Sequence, residues 1–360
     1  MIDTSLFHLS ADAQSSSPFF AVLPAEIRDL VYIEFWKLSS ARLHVVKRQV
    51  IREISPDQDA ENPWEDEWLH VPCIIDPRVE ESRWGEVTGK QSKSEWCIHW
   101  PCEEQFPPVK AIRHGQSGAE ASASRPIPGQ TGFLNLLTTC KRMYLEALPS
   151  LYGNTTFILT DTRTAGEFLA RYGADGARHP FRSLELCIRL PNLLTEIYYP
   201  PAHGSGKGDE GPPAVFAGRH ARPALTAANN PWQRLCDALV ALPALQQLRV
   251  WLDSSDLRPW HKRVSETRLL GRLADVRGLD KSRFVLGLPE LPARRGPDSH
   301  ALQGQYLEGA KLDEVPFTVQ RGPRPNNWRN HLHHILSLGA AALALPAPPG
   351  AMLVHHPHPV

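Results

Sequence analysis

The densest group of chemically able residues is Cys97-x-His99-x-x-Cys102, with Cys73 upstream of it. Thiolates and imidazoles are the ligands that zinc takes, and a structural zinc needs four of them in tetrahedral array. The spacing here is short and no second pair follows. The expectation from the residues alone is therefore ordinary Cys and His on the edge of a Trp-rich strand, with no metal and no cofactor. Gly204-Ser205-Gly206-Lys207-Gly208 suggests a phosphate loop but lacks the Gly-x-x-x-x-Gly-Lys-Ser/Thr order that cradles phosphate, and reads as a flexible loop. His331, His333, His334, His355, His356 and His358 lie in a Pro- and Ala-rich end and read as a polar tail.

Catalytic motifs are absent. The sequence has no Ser nucleophile elbow, no HExxH and no dinucleotide fingerprint. The carboxylate groups Glu65-Asp66-Glu67, Glu80-Glu81 and Glu103-Glu104 lie in polar runs, and acid–base work would need convergence from elsewhere in the chain. No enzyme and no catalytic residue is expected. Lys+Arg and Asp+Glu are 39 each, so the basic excess that phosphate-backbone binding draws on is missing, and no nucleic-acid partner is expected. Arg48, Arg52, Arg249, Arg258, His261, Lys262 and Arg263, with Trp251 and Trp260, read as a solvated face with packed tryptophans.

The six cysteines do not form the dense framework of secreted domains. Residues 1–17 show neither the basic nor the apolar region of a signal peptide, and no run of about 18 apolar residues exists to span a membrane. The expectation is a reducing compartment, cytoplasmic or nuclear, without membrane association.

The elements that must position these residues begin with a helix from Leu23 to Trp36, on which Ile27, Leu30, Val31 and Phe35 fall at helical spacing. A strand is expected over Leu43–Ile51, then shorter ones over Trp68–Ile75 and Glu95–Trp100. A second helix runs from Phe133 to about Leu148, with Lys141, Arg142 and Glu146 on its polar side and Pro149 ending or distorting it. A strand over Thr155–Leu159 follows. Three helix–strand units then succeed one another: Ala165–Tyr172 (opened by a Thr164–Glu167 capping box) with Leu184–Leu190, a helix from Pro231 to Leu242 with Gln247–Leu252, and Glu266–Val276 with Ser282–Leu288. Helix–strand units in series favour parallel strands joined by crossovers. A short helix is expected over Asn326–Leu338.

Two motifs carry a family resemblance. The first is Leu23-Pro24-x-Glu26-Ile27-Arg28-x-x-Val31-Tyr32. The second is Leu136-Leu137-x-Thr139-Cys140-Lys141-Arg142-x-Tyr144-x-Glu146-Ala147-Leu148-Pro149-x-Leu151-Tyr152, followed by Asn154-x-x-Phe157. Together they resemble uncharacterised filamentous-fungal proteins with F-box-like N-termini, of the domain-of-unknown-function 7730 type. The resemblance implies an α/β fold. F-box-like helices with a β-rich insert would be followed by irregular, leucine-rich-repeat-like helix–strand units. Composition and the helix–strand series, with these motifs, give the expected organisation: a disordered 1–17, an F-box-like module with a Trp-rich β insert over 18–160, an α/β repeat-like region over 161–320 and a flexible Pro/His-rich tail over 321–360. The implied function is protein–protein interaction. In one form the chain is a substrate receptor of a ubiquitin ligase, docking a Skp-type adaptor through Leu23, Pro24, Ile27 and Val31 and binding an unknown protein client. In the alternative it is a free-standing scaffold, whose signature would be full burial of Leu23, Ile27, Leu30 and Val31.

Overall fold

The computed structural model describes residues 11–51, 64–76, 94, 96–105, 135–173, 180–191, 230–255, 260, 264–291, 306–307, 309 and 311–322. Its frame is a seven-stranded mixed sheet. The strands are β1 (Arg42–Ile51), β2 (Trp64–Pro72), β3 (Thr156–Leu159), β4 (Ser183–Leu190), β5 (Gln247–Ser254), β6 (Phe284–Pro289) and β7 (Thr318–Gly322). They lie in the order β2-β1-β3-β4-β5-β6-β7. β2 is an antiparallel edge, with Leu43 opposite Pro72 and Ile51 opposite Trp64, and every other neighbouring pair is parallel.

From β3 onward each strand is added on the same side of the last. Crossovers of one hand in such an order place their helices on one face, and the packing agrees. Leu43 and Val45, Phe157 and Leu159, Leu184, Leu186, Ile188 and Leu190, Leu248, Val250 and Leu252, and Phe284, Leu286 and Leu288 alternate along their strands and share one core. That core also takes side chains from α1 (Pro18–Ala21), α2 (Ala25–Ser40), α4 (Lys141–Asn154), α5 (Thr162–Tyr172), α6 (Pro231–Val240) and α7 (Glu266–Leu270). The residues between them, such as His44, Glu185, Cys187 and Trp251, point to the second face. There the turn Cys97–His99 packs on β4 and leads into α3 (Trp100–Gln105). A last short helix, α8 (Lys311–Glu314), precedes β7.

Several expectations shift. Cys97–Trp100 is not strand: it is a 3-10 turn followed by α3, whose first turn holds Pro101, where the missing N–H costs nothing. The helix expected from Phe133 is interrupted before Lys141. Cys140 Sγ accepts from the Met143 N–H as an N-cap, and α4 then runs through Pro149 to Asn154. Pro149 removes one intrahelical bond, which the burial of Ala147, Leu151 and Tyr152 outweighs. α5 starts earlier than the Thr164 capping box, because Asp161 accepts from the Thr164 N–H and caps the helix at Thr162. Asn230 caps α6, with Pro231 at its first position. α7 is short and breaks into a 3-10 turn at Leu273–Asp275. The stretch Asn326–Leu338 lies outside the described residues.

Candidate functional site

Two places in the fold concentrate chemistry. The first is α2. Its buried side is Arg28, Tyr32 and Trp36, not the apolar face that helical spacing marks at Ile27, Leu30, Val31 and Phe35. Phe35 is half-buried, while Ile27, Leu30 and Val31 are 43%, 56% and 45% exposed. Leu38, on the same helix, extends the exposed stripe at 88%, and Val22, just ahead of the helix, is 75% exposed. Pro24 is exposed and Leu23 half-buried. The full burial that a purely structural helix would show is absent.

An ion pair between the two sequence motifs imposes this orientation. Arg28 donates from Nε to Glu146 Oε2 (2.8 Å) and from Nη2 to Glu146 Oε1 (2.9 Å), while its Nη1 donates to the Leu23 carbonyl (2.6 Å). The Tyr32 hydroxyl donates to the same carboxylate at 3.3 Å, and Arg142 Nε reaches Oε1 at 3.3 Å. Arg142 and Arg28 also stand 4.4 and 5.5 Å from the centre of the Phe20 ring. Glu146, expected on the polar side of its helix, is instead the acceptor that ties α2 to α4. Burial acts to raise its pKa, but hydrogen bonds from Arg28 and Arg142, with their charges, outweigh this and hold the carboxyl below its ordinary value. A planar guanidinium gripping a carboxylate with two parallel bonds fixes orientation as well as position, so the rotation of α2 follows from this contact.

The second place is a buried group of thiols and imidazoles on the second face of the sheet. His44 (β1), Cys73 (just past β2), His99 (the 3-10 turn) and Cys102 (α3) bring one ligand atom each to within 4.8 Å of one another. Cys73 Sγ lies 3.6 Å from His99 Nδ1 and 3.8 Å from Cys102 Sγ, and Cys102 Sγ lies 3.9 Å from His99 Nδ1. The other ring nitrogen of His99 contacts Glu185 Oε1 at 3.1 Å. Glu185, on β4, is itself ion-paired with Arg42. Arg42 also donates to the Ile75 carbonyl at 3.2 Å, and its own carbonyl accepts from the Cys73 N–H at 2.9 Å, so one residue fixes both the carboxylate and the Cys73 loop.

His44 is fully buried, stacked on Trp96 at 4.7 Å and edge-on to His99 at 4.8 Å, and neither of its ring nitrogens has a hydrogen-bond partner. Burial takes its pKa down to about 4, against the Cys73 thiol, which acts to raise it, and with the charge of His99 adding to the fall. The Cys102 thiol goes the other way, down to about 5, held there first by Cys73 and then by His99 against the effect of burial. Burial acts to lower the His99 pKa, but the Cys187, Cys102 and Cys73 thiols beside it outweigh this and raise it well above the ordinary value.

A family model for a domain of unknown function (DUF7730) matches residues 12–303, which takes in α1, α2, both motifs and all four of these ligand-type residues. The chain belongs to the DUF7730 family. No curated protein and no solved structure matches it.

Within this DUF7730 domain the structure regroups the residues that stood out in sequence. Of Cys97-x-His99-x-x-Cys102, only His99 and Cys102 enter the cluster. Cys97 is buried outside it, with a left-handed backbone (φ 52°), and burial pushes its thiol up to about 12. Cys73 joins, as its proximity in sequence hinted. His44 and Glu185 were not singled out. The available signal was alternation: Leu43 and Val45 are core residues on either side of His44, which places the imidazole on the opposite face. Glu103, one of the adjacent carboxylates, accepts from the Ser94 hydroxyl. A further carboxylate, Glu266, is fully buried but satisfied, accepting from Trp260 Nε1, the Leu307 N–H and both Nη atoms of Arg321. It ties α7 to Arg321 of β7. The Gly204–Gly208 loop, the six C-terminal histidines and Arg258, His261, Lys262 and Arg263 lie outside the described residues. No helix among the described residues is long and apolar enough to cross a membrane.

Proposed function

We propose that this chain is a protein–protein interaction module in which α2 is an F-box-like helix that docks a Skp-type adaptor, and in which the serial helix–strand units present a surface to a protein client. The observation that carries the reading is the exposed stripe of Ile27, Leu30, Val31 and Leu38 on a helix whose opposite side is clamped by Arg28. Exposed aliphatics at i, i+3 and i+4 on one helix are the anchors used when an apolar helix face enters a partner's groove. The partner class is taken from resemblance: the Leu23-Pro24-x-Glu26-Ile27-Arg28 pattern resembles an F-box-like first helix, for which Leu23, Pro24, Ile27 and Val31 would make the contact. The one-directional parallel order from β3 to β7 supports the leucine-rich-repeat-like reading of the client-binding part.

The test is co-purification of the tagged chain with a Skp-type adaptor, comparing wild type with Ile27→Asp/Val31→Asp. Both positions are exposed, so the double variant should stay folded, within about 0.5 kcal/mol per site of wild type. The expected result is a stable complex with wild type and none with the variant. A wild-type chain that makes no complex would leave the free-standing scaffold as the better account.

A further inference from the structure

We propose that His44, Cys73, His99 and Cys102 bind one zinc ion, which fastens the Cys97–Gln105 segment to the second face of the sheet. The inference is independent of the docking reading. Its first support is metric. Zinc held at about 2.3 Å from sulfur and 2.0–2.1 Å from nitrogen in a tetrahedron has S···S edges of about 3.8 Å and S···N edges of about 3.6 Å. The three contacts among Cys73 Sγ, Cys102 Sγ and His99 Nδ1 are 3.8, 3.6 and 3.9 Å, so these atoms already stand close to three corners of such a tetrahedron. His44 supplies the fourth, within 4.8 Å of the others.

The second support is orientation. His99 Nε2 is engaged by Glu185 at 3.1 Å, which leaves Nδ1 to face the two sulfurs. A carboxylate behind a histidine is the usual outer partner of a zinc ligand, since it fixes the ring and its tautomer. The third is an unmet demand. His44 is buried with both ring nitrogens unbonded, and such a group calls for an explanation in a folded chain. A metal ion would satisfy one of the two nitrogens. Charge also balances: two thiolates neutralise Zn2+, and Arg42 neutralises Glu185. The left-handed Cys97 sits two residues before His99, at the turn that leads into the ligand-bearing segment. A non-glycine residue there is strained, and metal binding can offset that strain. The trio His99, Glu185 and Cys187 offers only three ligands, and Glu185 is already paired with Arg42, so the four-residue set is the site.

On coordination each thiol loses its proton to solvent and no electron is transferred. Two near-neighbour thiols could instead oxidise to a disulfide, and the experiment separates these fates. The full-length chain is purified without chelator or reductant, its zinc is measured by elemental analysis and its free thiols are titrated. Zinc is then replaced by cobalt to read the ligand field. The expected result is one zinc per chain, six titratable thiols after chelation and denaturation, and the visible bands of a tetrahedral cobalt site with two thiolates. Cys73→Ser and Cys102→Ser should each lower zinc content at least about tenfold, while Cys97→Ala keeps it. The wild-type cobalt spectrum decides the ligand set should a serine variant fail to fold. Fully reduced wild type that takes up neither zinc nor cobalt, a Cys73–Cys102 disulfide in place of metal, or zinc content that follows Cys97 and ignores Cys73 would each overturn the proposal.

Discussion

At the scale of single residues, the pair Arg28–Glu146 decides which way α2 faces, and it joins positions 118 residues apart. Spacing alone marked Ile27, Leu30, Val31 and Phe35 as an apolar face, and that much was legible. What could not be read was the existence of a stronger claim on the helix's orientation: a guanidinium whose acceptor lies in a different motif. The same limit hid the thiol–imidazole cluster. Cys73, His99 and Cys102 were noticeable as residue types, but His44 sits on another strand and Cys97 looked like a member until its backbone turned it away. Arg28→Ala should cost about 2 kcal/mol, less than the loss of a fully buried pair because Glu146 is partly solvated, read as a lower urea midpoint at unchanged m-value. Glu146→Gln should fall in the same direction. The pH dependence has a definite sign. The folded-state pKa of Glu146 lies below its ordinary value. The stabilisation is therefore complete above the ordinary carboxylate pKa of about 4.3 and is lost as pH falls through the folded value. As pH falls from neutral through that folded value, the stability gap between wild type and Glu146→Gln should close.

At the scale of elements, the strands of the parallel sheet were readable because their apolar runs are short, β-branched or leucine-rich, and separated by helical periods. Element ends were not, since they depend on local contacts: Asp161 extends α5 backwards, and Cys140 caps a helix that tertiary packing carries through Pro149. The segment at Cys97 was misread as a strand because a row of bulky residues suits either state, and only packing on β4 selects the turn. The second face depends on close fit at one point. A Cβ on Gly287 would come within 1.8 Å of Trp251 Cε3, and Trp251 packs with Ile98 and Cys187 beneath the inserted segment. Gly287→Val should therefore destabilise the fold by about 1–3 kcal/mol through overpacking, seen as a lower melting temperature. A neutral result would mean that Trp251 does not lie over Gly287 as described.

At the scale of the whole molecule, the helix–strand series was enough to anticipate a mixed α/β fold with parallel strands. It did not reveal that β1 and its hairpin partner β2 extend the same sheet, nor that β7 closes the far edge through the buried Glu266–Arg321 pair. Those joins are long-range and leave no periodic trace. The result is a sheet with its helices on one face and the Trp96–Gln105 segment on the other, and with one exposed apolar helix stripe at the N-terminal end. In that frame β4 and β5, central and covered on both faces, should exchange their amide hydrogens slowest. α2 is held from one side only, so its exchange should respond to a partner. The central claim is that this stripe is a docking surface. Hydrogen exchange of the full chain with and without purified Skp-type adaptor measures it most directly. The account predicts slowed exchange concentrated between Leu23 and Leu38 in wild type, and none in Ile27→Asp/Val31→Asp. Protection that appears elsewhere while α2 is unchanged, or no protection at saturating adaptor, would contradict it.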